Sequence, residues 1–329
     1  DVRERSEKRY GRGERPELYT MDTFVDSSWY FLRYTDSRNE EQFADPKQLK
    51  KWLPVDFYMI GPEHIVLHLL YSRFFTKFLR DQGYLNVNEP FAKMRHQGMI
   101  LGPDHRKMSK SKGNVINPDD VIEKFGADTL RVYEMFMGPI EADKPWDTRA
   151  VVGVYKFLQR IHAIVTESLA AKSEVLSPEA RQKLHQTIRK VEQDIPVLKF
   201  NTAIAAMMEA LNDWEKVHRQ ANQKQSGVRV VSLEDVAAWI QVLAPFAPFL
   251  AEELYQGRNT DAVKAAESVH LSQWPKWDAE LAKESVVTVP VQVNGKVRAQ
   301  LEVGADVIDD KDKVLAFAKR DERLVEWLS

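Results

Sequence analysis

The chain has 329 residues, of which 43% are hydrophobic and 29% charged, a composition typical of a globular protein with two or three domains. Its formal net charge of −2 gives no global signal for polyanion binding, so any nucleic-acid surface must be a local patch. The absence of cysteine excludes disulfides and thiolate metal sites and favours a cytoplasmic location, and no apolar run approaches the roughly 18 residues of a membrane-spanning helix.

Residues 1–16 are mostly charged and include Gly11, Gly13 and Pro16, which predicts an exposed linker without a core of its own. The sequence opens on Asp1 rather than on an initiator methionine. We therefore interpret the chain as a piece of a longer polypeptide.

Residues 21–31 are dense in aromatic side chains that are separated by small polar ones. As structure, this pattern predicts a core strand followed by a helix. Aromatic side chains with nearby hydroxyl groups are also typical of pocket walls. Phe24, Ser27 and Tyr30 are the candidates for such a wall.

A short apolar run at residues 55–60 predicts a buried strand that ends at Gly61. A helix is expected to begin at Glu63, because apolar and aromatic residues then recur at helical spacing. His64 and His68 are four residues apart, so they would share one face of this helix.

The histidine pair allows three interpretations. A metal site is the least favoured because no third ligand is nearby, and no metal site is predicted. The two side chains could instead be core histidines with satisfied hydrogen bonds. Alternatively, ligands of open parallel sheets sit at the carboxyl ends of strands, and Gly61 would let a nucleotide approach the backbone there.

Residues 107–114 read Lys-Met-Ser-Lys-Ser-Lys-Gly-Asn, and we call this stretch the lysine loop. Three lysines in six residues cannot all be buried without partners, so the loop must face solvent or an anion. Asn117 is a predicted N-cap, with Pro118 at the first helical position and Asp120 close to completing a capping box. Mobile ammonium groups beside a helix start suit phosphate binding, whereas a solvated basic turn is the alternative.

Beyond the lysine loop the pattern becomes helical. Short helices are expected at residues 121–125 and from Ala127, and longer ones begin near Trp146, at Ser177, at Asn201 and at Ser232. Their short connections predict an antiparallel bundle, with a mobile loop at residues 220–230.

The last segment alternates between apolar and polar residues. Two such runs flank Asn294-Gly295, which is the strongest short-range signal for a β-hairpin. A helix is expected at about residues 310–319, and three of its residues are predicted to face inward: Val314, Leu315 and Ala318.

Residues Lys107-Met108-Ser109-Lys110-Ser111 resemble, letter for letter, the second signature (KMSKS) of the class I aminoacyl-tRNA synthetases. Residues 21–31, residues 58–64 and the stretch Gln97-Gly98-Met99 are similar to segments of the leucyl-tRNA synthetases, and the similarity covers nearly everything from Met21 onward. The resemblance implies an α/β Rossmann-like catalytic half-domain, then an all-α anticodon-binding-type helical bundle, then the start of a small α+β C-terminal domain.

The resemblance also implies roles for individual residues. Lys107 and Lys110 would be catalytic, with Lys110 stabilising the charge that builds up on departing pyrophosphate. The amino-acid pocket would comprise Phe24, Ser27, Tyr30, Tyr58, His64 and His68. ATP or the adenylate would be bound by Gly61, Glu63, His64, Gln97, Gly98, Met99, Ile100, Met108, Ser109 and Ser111. One departure is Ile60, where the family usually has glycine.

The implied domains are a linker (1–16), the second half of the catalytic domain (17–140), the bundle (141–283) and a truncated C-terminal tRNA-binding domain (284–329). ATP and Mg²⁺ would be the cofactors. Leucine, tRNA(Leu) and a missing N-terminal catalytic half, in the same polypeptide or a separate subunit, would be the partners.

The sequence contains neither the first class I signature, His-Ile-Gly-His, nor an editing domain. Leucine–tRNA ligase activity is therefore expected with the missing half and not from this chain alone. A non-catalytic tRNA-binding module of the same fold and a valyl- or isoleucyl-type enzyme are the alternatives.

Overall fold

The computed structural model describes residues 23–257, 268–283, 286–293, 296–304, 307–308, 310–321 and 323–324. It forms two compact units: the first holds the described residues up to Lys107 with Ile140–Pro145, and the second holds Met108–Pro139 and the described residues from Trp146 onward. The predicted linker lies outside the described residues, and the predicted domain boundaries stay predictions. In the part of the chain that the structure describes, no helix is long and apolar enough to cross a membrane.

The first unit begins with the helices α1 (Thr23–Ser27), α2 (Tyr30–Tyr34) and α3 (Pro46–Trp52). The prediction of a core strand at the start of residues 21–31 is wrong for the part described, which is helical from Thr23. The physical reason is that Phe24 and Ser27, three residues apart, lie on one face of α1, a spacing that suits a helix rather than a strand, whereas Tyr30 begins α2. A buried core anchors these helices, and it includes Phe31, Leu32, Ala44, Leu49, Leu53 and Leu85.

Parallel strand pairs form the sheet elements of the first unit. β1 (Tyr58–Met59) pairs with β2 (Met94–Arg95), and β3 (Ile100–Leu101) pairs with β4 (Lys144–Pro145). An isolated bridge between Val55 and Phe91 extends the first pair in the same parallel sense. The strand expected at residues 55–60 is therefore present, in a shorter form.

The helix that follows β1 starts later than the sequence suggests. A short 3₁₀ helix covers Pro62–His64, and α4 spans His68–Asp81. Between them Leu67 has φ −114° and ψ −106°, which is not helical. The prediction that His64 and His68 share a helix face is thus wrong, because the chain turns before α4 begins.

The second unit opens with α5 (Pro118–Phe125) and α6 (Ala127–Phe136). Asn117 caps α5 as predicted, and its Oδ1 accepts the N–H of Asp119 at 3.2 Å. Its amide nitrogen donates to Asp120 Oδ1 at 3.2 Å, so the second contact is between side chains rather than the return bond of a true capping box.

The bundle consists of α7 (Thr148–Ala170), α8 (Pro178–Asp194), α9 (Phe200–Lys224) and α10 (Leu233–Leu243), and α11 (Pro248–Gln256) follows. Helices α7 and α8 each pack against both α9 and α10. Their facing residues are almost wholly buried, among them Val151, Ile161, Ile188, Val191, Ile204, Met207, Leu211 and Ile240. The predicted capping of the fourth helix is confirmed, since Ser232 and Asp235 form a capping box.

The predicted mobile loop at residues 220–230 is wrong. Helix α9 continues to Lys224, and β5 (Ser173–Glu174) then pairs in parallel with β6 (Val228–Arg229). Val228 and Val230 are each 1% exposed. Burial of these valines holds the segment in place, which its polar composition does not reveal.

The C-terminal hairpin joins β7 (Val286–Val293) and β8 (Lys296–Gly304) as antiparallel strands, and Val293 pairs with Lys296. The predicted turn residues Asn294 and Gly295 lie outside the described residues. Helix α12 (Lys311–Arg320) covers one face, where Ala318 is buried and Val314 partly buried. The prediction for Leu315 is wrong, since it is 52% exposed, one position round the helix from Val314.

Candidate functional site

A chain of hydrogen bonds links aromatic and histidine side chains of the first unit. The hydroxyls of Tyr30 and Tyr58 lie 2.9 Å apart, and the Tyr58 hydroxyl lies 2.7 Å from Nε2 of His68. The ring of Phe24 packs edge-on against His64, whose ring centroid lies 6.3 Å from that of His68. The structure therefore brings together five of the six residues predicted for the amino-acid pocket.

The surroundings of Tyr58 and His68 disfavour a charge on either side chain. Burial and the hydrogen bond to Tyr30 raise the pKa of Tyr58, so its hydroxyl stays protonated. Burial and the neighbouring His64 lower the pKa of His68, which favours a neutral ring. A neutral His68 can accept a hydrogen bond from the Tyr58 hydroxyl at Nε2, and the Tyr30 hydroxyl then donates to the Tyr58 oxygen.

His64 offers a polar atom to this neutral cluster. Its Nδ1 is buried and has no hydrogen-bond partner among the described residues. A buried polar atom without a partner costs free energy unless something binds to it. The arrangement can therefore surround an aliphatic side chain with rings and still present one polar contact.

Ser27, the sixth predicted pocket residue, uses its hydroxyl locally. Its Oγ donates to the carbonyl oxygen of Phe24 at 3.2 Å, within α1. The structure thus gives Ser27 a part in holding Phe24, and shows no contact with the histidines. Two neighbours missed from the sequence are Phe91, which stacks on Tyr58 at 3.9 Å, and Tyr71, which stacks on Phe24. The sequence offered only the aromatic character of these two residues as a sign that they line the site.

Gly61 lies where β1 ends, beside the side chain of Glu63. A Cβ added at Gly61 would stand 2.4 Å from Glu63 Oε2. Glycine therefore lets the carboxylate fold over the backbone at this point. At Ile60 the backbone does not have positive φ, and its N–H donates to Arg95 O at 3.2 Å. The conformation of Ile60 needs no glycine.

Gln97, Gly98 and Met99 join β2 to β3. A Cβ at Gly98 would meet the carbonyl of Ala142 at 2.2 Å, and the Gly98 N–H donates to Ile140 O at 2.8 Å. The Met99 N–H donates to Asp143 Oδ1 at 2.6 Å. These two N–H groups are therefore used within the protein. Oε1 of Gln97 is buried without a partner among the described residues.

The lysine loop is a compact turn. Residues Lys110–Lys112 form a 3₁₀ helix that ends at Gly113, where φ is 63°. The N–H of Ser109 donates to Asn114 Oδ1 at 2.8 Å, and the hydroxyls of Ser109 and Ser111 are 2.8 Å apart. These contacts order the turn, and the lysine side chains of the loop are exposed. Asn114 is an organiser of the loop that the sequence reasoning missed.

A groove of about 720 Å³ lies in the second unit, between α7, α9 and β6. Two side-chain pairs lie in it: Arg160 with Glu215 at 2.7 Å, and His218 with Glu167 at 3.1 Å. None of the predicted site residues lines it. We assign it no ligand.

Two family models match the chain. One describes class I tRNA synthetases (I, L, M and V) and matches residues 14–147; the other describes the anticodon-binding domain of tRNA ligase and matches residues 178–311. The chain is 46% identical over 308 residues to the leucine–tRNA ligase of Bdellovibrio bacteriovorus, a match that covers 93% of this chain and 36% of that protein.

Two solved structures of tRNA synthetases are similar to the chain. The structure of an Agrobacterium radiobacter K84 leucyl-tRNA synthetase with tRNA and LeuAMS superposes with a TM-score of 0.71 at 33% identity, over 94% of this chain and 40% of that one. Mycobacterium tuberculosis methionyl-tRNA synthetase with methionyl-adenylate shares the fold, with a TM-score of 0.53 at 19% identity. The match covers 71% of this chain and 49% of that one.

The chain spans about a third of the length of the curated relative that it matches. Part of the class I catalytic domain comes first in it, and the helical anticodon-binding domain follows. The chain thus belongs to the class I aminoacyl-tRNA synthetases and corresponds to the C-terminal portion of a leucyl-tRNA synthetase.

Proposed function

We propose that this chain takes part in the leucine–tRNA ligase reaction, in which leucine is activated with ATP to leucyl-adenylate and then transferred to tRNA(Leu). Its share is the lysine-loop half of the active site and most of the scaffold that binds tRNA. The observation that carries the proposal is the neutral Tyr30–Tyr58–His68 chain beside Phe24 and His64, in a polypeptide that also holds the lysine loop.

The leucine pocket is proposed to consist of Phe24, Tyr30, Tyr58, His64 and His68, with Ser27 supporting Phe24. An aliphatic side chain gains about 1.5–3 kcal/mol when it leaves water for such a surface. Because the polar atoms of the cluster bond to one another, the ligand need not satisfy them. Nδ1 of His64 is the exception and is the candidate for a polar contact.

The lysine loop is proposed to bind the phosphates of ATP. Lys107 and Lys110 would stabilise the negative charge that grows on pyrophosphate as the leucine carboxylate attacks the α-phosphorus. Met108, Ser109 and Ser111 would shape the loop around the phosphates. The serine hydroxyls already bond to each other, so they can exchange that contact for a phosphate oxygen.

The rest of the nucleotide is proposed to bind at the carboxyl ends of β1 and β2. Gly61 and Glu63 would approach the ribose, and the stretch from Gln97 to Ile100 would contact adenine. Because the N–H groups of Gly98 and Met99 bond within the protein, the adenine contact would come from carbonyl groups, Ile100 and the unpaired Gln97 Oε1.

Magnesium is proposed to arrive with the nucleotide. Among the described residues no group of three or more His, Asp or Glu side chains could hold a metal ion. Mg²⁺ commonly binds through substrate phosphates and keeps several of its waters, so it does not need a protein cage. The ion would neutralise phosphate charge, while the lysines of this chain orient the phosphates.

Binding of tRNA is proposed for the second unit. Its bundle matches the anticodon-binding domain, and the similar Agrobacterium enzyme was solved with tRNA. The overall charge of −2 does not favour polyanions, so local basic side chains must make the contacts. We expect recognition of the shape and backbone of tRNA(Leu) rather than of a base triplet.

Exposed apolar side chains support the proposal that an N-terminal catalytic half packs on the first unit. Leu70, Phe74 and Phe78 are 55%, 65% and 51% exposed and recur every four residues along α4. The opposite face of α4, with Leu69, Ser72 and Thr76, is already buried, so a partner on the exposed apolar residues would enclose the helix from both sides. Met59 and Met94 on the parallel strands are also exposed, whereas parallel sheets are normally covered.

The test is leucine-dependent exchange of pyrophosphate into ATP, run with this chain alone and with the N-terminal half added. We expect no exchange from the chain alone, because effective positioning of ATP needs groups from both halves. Exchange should appear on complementation. A complemented protein that binds tRNA but never exchanges pyrophosphate would instead be a non-catalytic tRNA-binding module.

A further inference from the structure

Asp128 is a buried carboxylate in the first turn of α6, with 8% of its surface exposed. It accepts the backbone N–H of Leu250 at 2.7 Å and that of Phe249 at 3.4 Å. Both donors belong to the first turn of α11. Burial raises the pKa of Asp128, and the two N–H groups oppose that rise. An aspartate is seldom buried unless its charge has partners, and here the partners are on another helix.

Arg131 makes a second contact on the same helix. Its Nη2 donates to the carbonyl oxygen of Pro245 at 3.1 Å. Pro245 follows the end of α10, and Asp128 binds the first turn of α11. Helix α6 is therefore hydrogen-bonded to both ends of the connection between α10 and α11. Both contacts are made to backbone groups, which fixes the position of α6 against the bundle.

The same helix is joined closely to the lysine loop. Gly126 is at once the C-cap of α5 and the N-cap of α6. Thr129 Oγ1 donates across this junction to Phe125 O at 2.7 Å. The N-cap of α5, Asn117, follows the loop residue Asn114 by three positions. From Met108 to Pro139 the chain belongs to the second unit rather than to the first.

We infer that Asp128 is a positioning residue for the lysine loop, because its carboxylate fixes α6, and through α5 the loop, to the first turn of α11. The attachment itself follows from these contacts. Only its consequence for ATP rests on the proposed function, so the two are tested by different measurements.

The first test is native-state cleavage by trypsin after Lys107, Lys110 and Lys112 in the full chain, followed by mass spectrometry. Asp128→Asn keeps the size of the side chain but turns an amide NH₂ towards one of the two backbone donors. We expect cleavage to become about tenfold faster, because opening of the loop segment costs less. A rate within twofold of the wild type would overturn the inference.

Asp235→Asn is the matched control. Asp235 is also buried, at 6% exposed, and also caps a helix in the same unit, where it pairs with Arg181 at 3.1 Å. This variant should lose similar stability while loop cleavage stays within twofold of the wild type. Equal acceleration in both variants would mean general destabilisation and would also overturn the inference.

The second test uses the complete synthetase. Asp128→Asn should raise the KM for ATP in pyrophosphate exchange five- to tenfold and leave the KM for leucine within twofold. Arg131→Gln changes an exposed side chain and should shift the KM for ATP in the same direction by less. Unchanged KM values for ATP in both variants would contradict the role. Lack of exchange by the wild type would count against the proposed function, and trypsin cleavage would still decide the inference.

Discussion

The hydroxyl of Tyr58 lies 2.7 Å from Nε2 of His68, so a single hydrogen bond joins the start of β1 to the first residue of α4. Tyr30 extends the contact from α2 at 2.9 Å. Three separate elements, α2, β1 and α4, thus converge on one hydrogen-bonded network. The pocket proposed for leucine depends on this convergence more than on any single ring.

Tyr58→Phe should weaken leucine binding. The ring can keep its stacking on Phe91 at 3.9 Å, but Tyr30 and His68 lose their shared partner. An unmade buried hydrogen bond costs about 1–2 kcal/mol, so the KM for leucine should rise roughly five- to thirtyfold. Pyrophosphate exchange at varied leucine measures it. Tyr84→Phe, at a 58% exposed position, is the control and should change nothing. Equal KM values for Tyr58→Phe and wild type would contradict the network.

The assembled enzyme should activate leucine better than valine or methionine. A pocket of rings can reject a side chain that is one methylene shorter by only about 10–200-fold, because little binding energy distinguishes the two. Exchange rates at subsaturating amino acid give the ratio. Preference for valine or isoleucine would assign the chain to the valyl- or isoleucyl-type enzymes instead.

His68 should titrate below its ordinary pKa of about 6.5, because burial and then His64 disfavour its charged form. The neutral ring therefore contributes stability that is fully present above pH 6.5 and is lost as the pH falls through the folded pKa. Urea unfolding at pH 7.5 and pH 5 should show this loss in the wild type, and His68→Gln should show less of it. His64→Gln should move the His68 pKa upward in an NMR titration. A downward shift would reverse the assigned cause.

Gly98→Ala should destabilise the first unit by about 1–3 kcal/mol, the usual cost of overpacking. The added Cβ would stand 2.2 Å from the Ala142 carbonyl, and backbone cannot swing away as a side chain can. Gly153→Ala is the opposite case, because nothing lies within 4 Å of its Cβ in the middle of α7. That variant should be stabilised by up to about 1 kcal/mol. Chemical denaturation compares the two, and an unaffected Gly98→Ala would show that β3 and β4 are not held as described.

Local signals in the sequence predicted the elements that depend on local contacts. Asn117, Ser177 and Ser232 each cap a helix as expected, because a cap needs only its own side chain and the next three residues. The strand pairing of the hairpin is likewise confirmed by the register from Val286 to Gly304. The six residues of the proposed leucine pocket were predicted from the family resemblance. Their spacing in the sequence does not reveal how they are arranged in space.

Tertiary contacts explain what the sequence did not predict. The segment around Val228 is polar in composition, yet two buried valines and the strand β6 hold it. Helix α4 begins at His68 rather than at Glu63, because Pro62 opens a separate 3₁₀ turn. The hydrogen bond between Asp128 and Leu250 joins residues that are 122 positions apart, so no local sequence pattern could predict it.

The most direct test of the account is the rate of leucyl-adenylate formation by the complete enzyme with Lys110→Ala, beside Lys112→Ala as its control. Both lysines are exposed in the same 3₁₀ turn of the loop, so the two changes remove equal charge from one place. We predict that Lys110→Ala lowers pyrophosphate exchange by about 10²–10³, the scale of losing one transition-state donor, with little change in leucine affinity. Lys112→Ala should lower it far less. Exchange by Lys110→Ala within twofold of the wild type would contradict the role of the lysine loop.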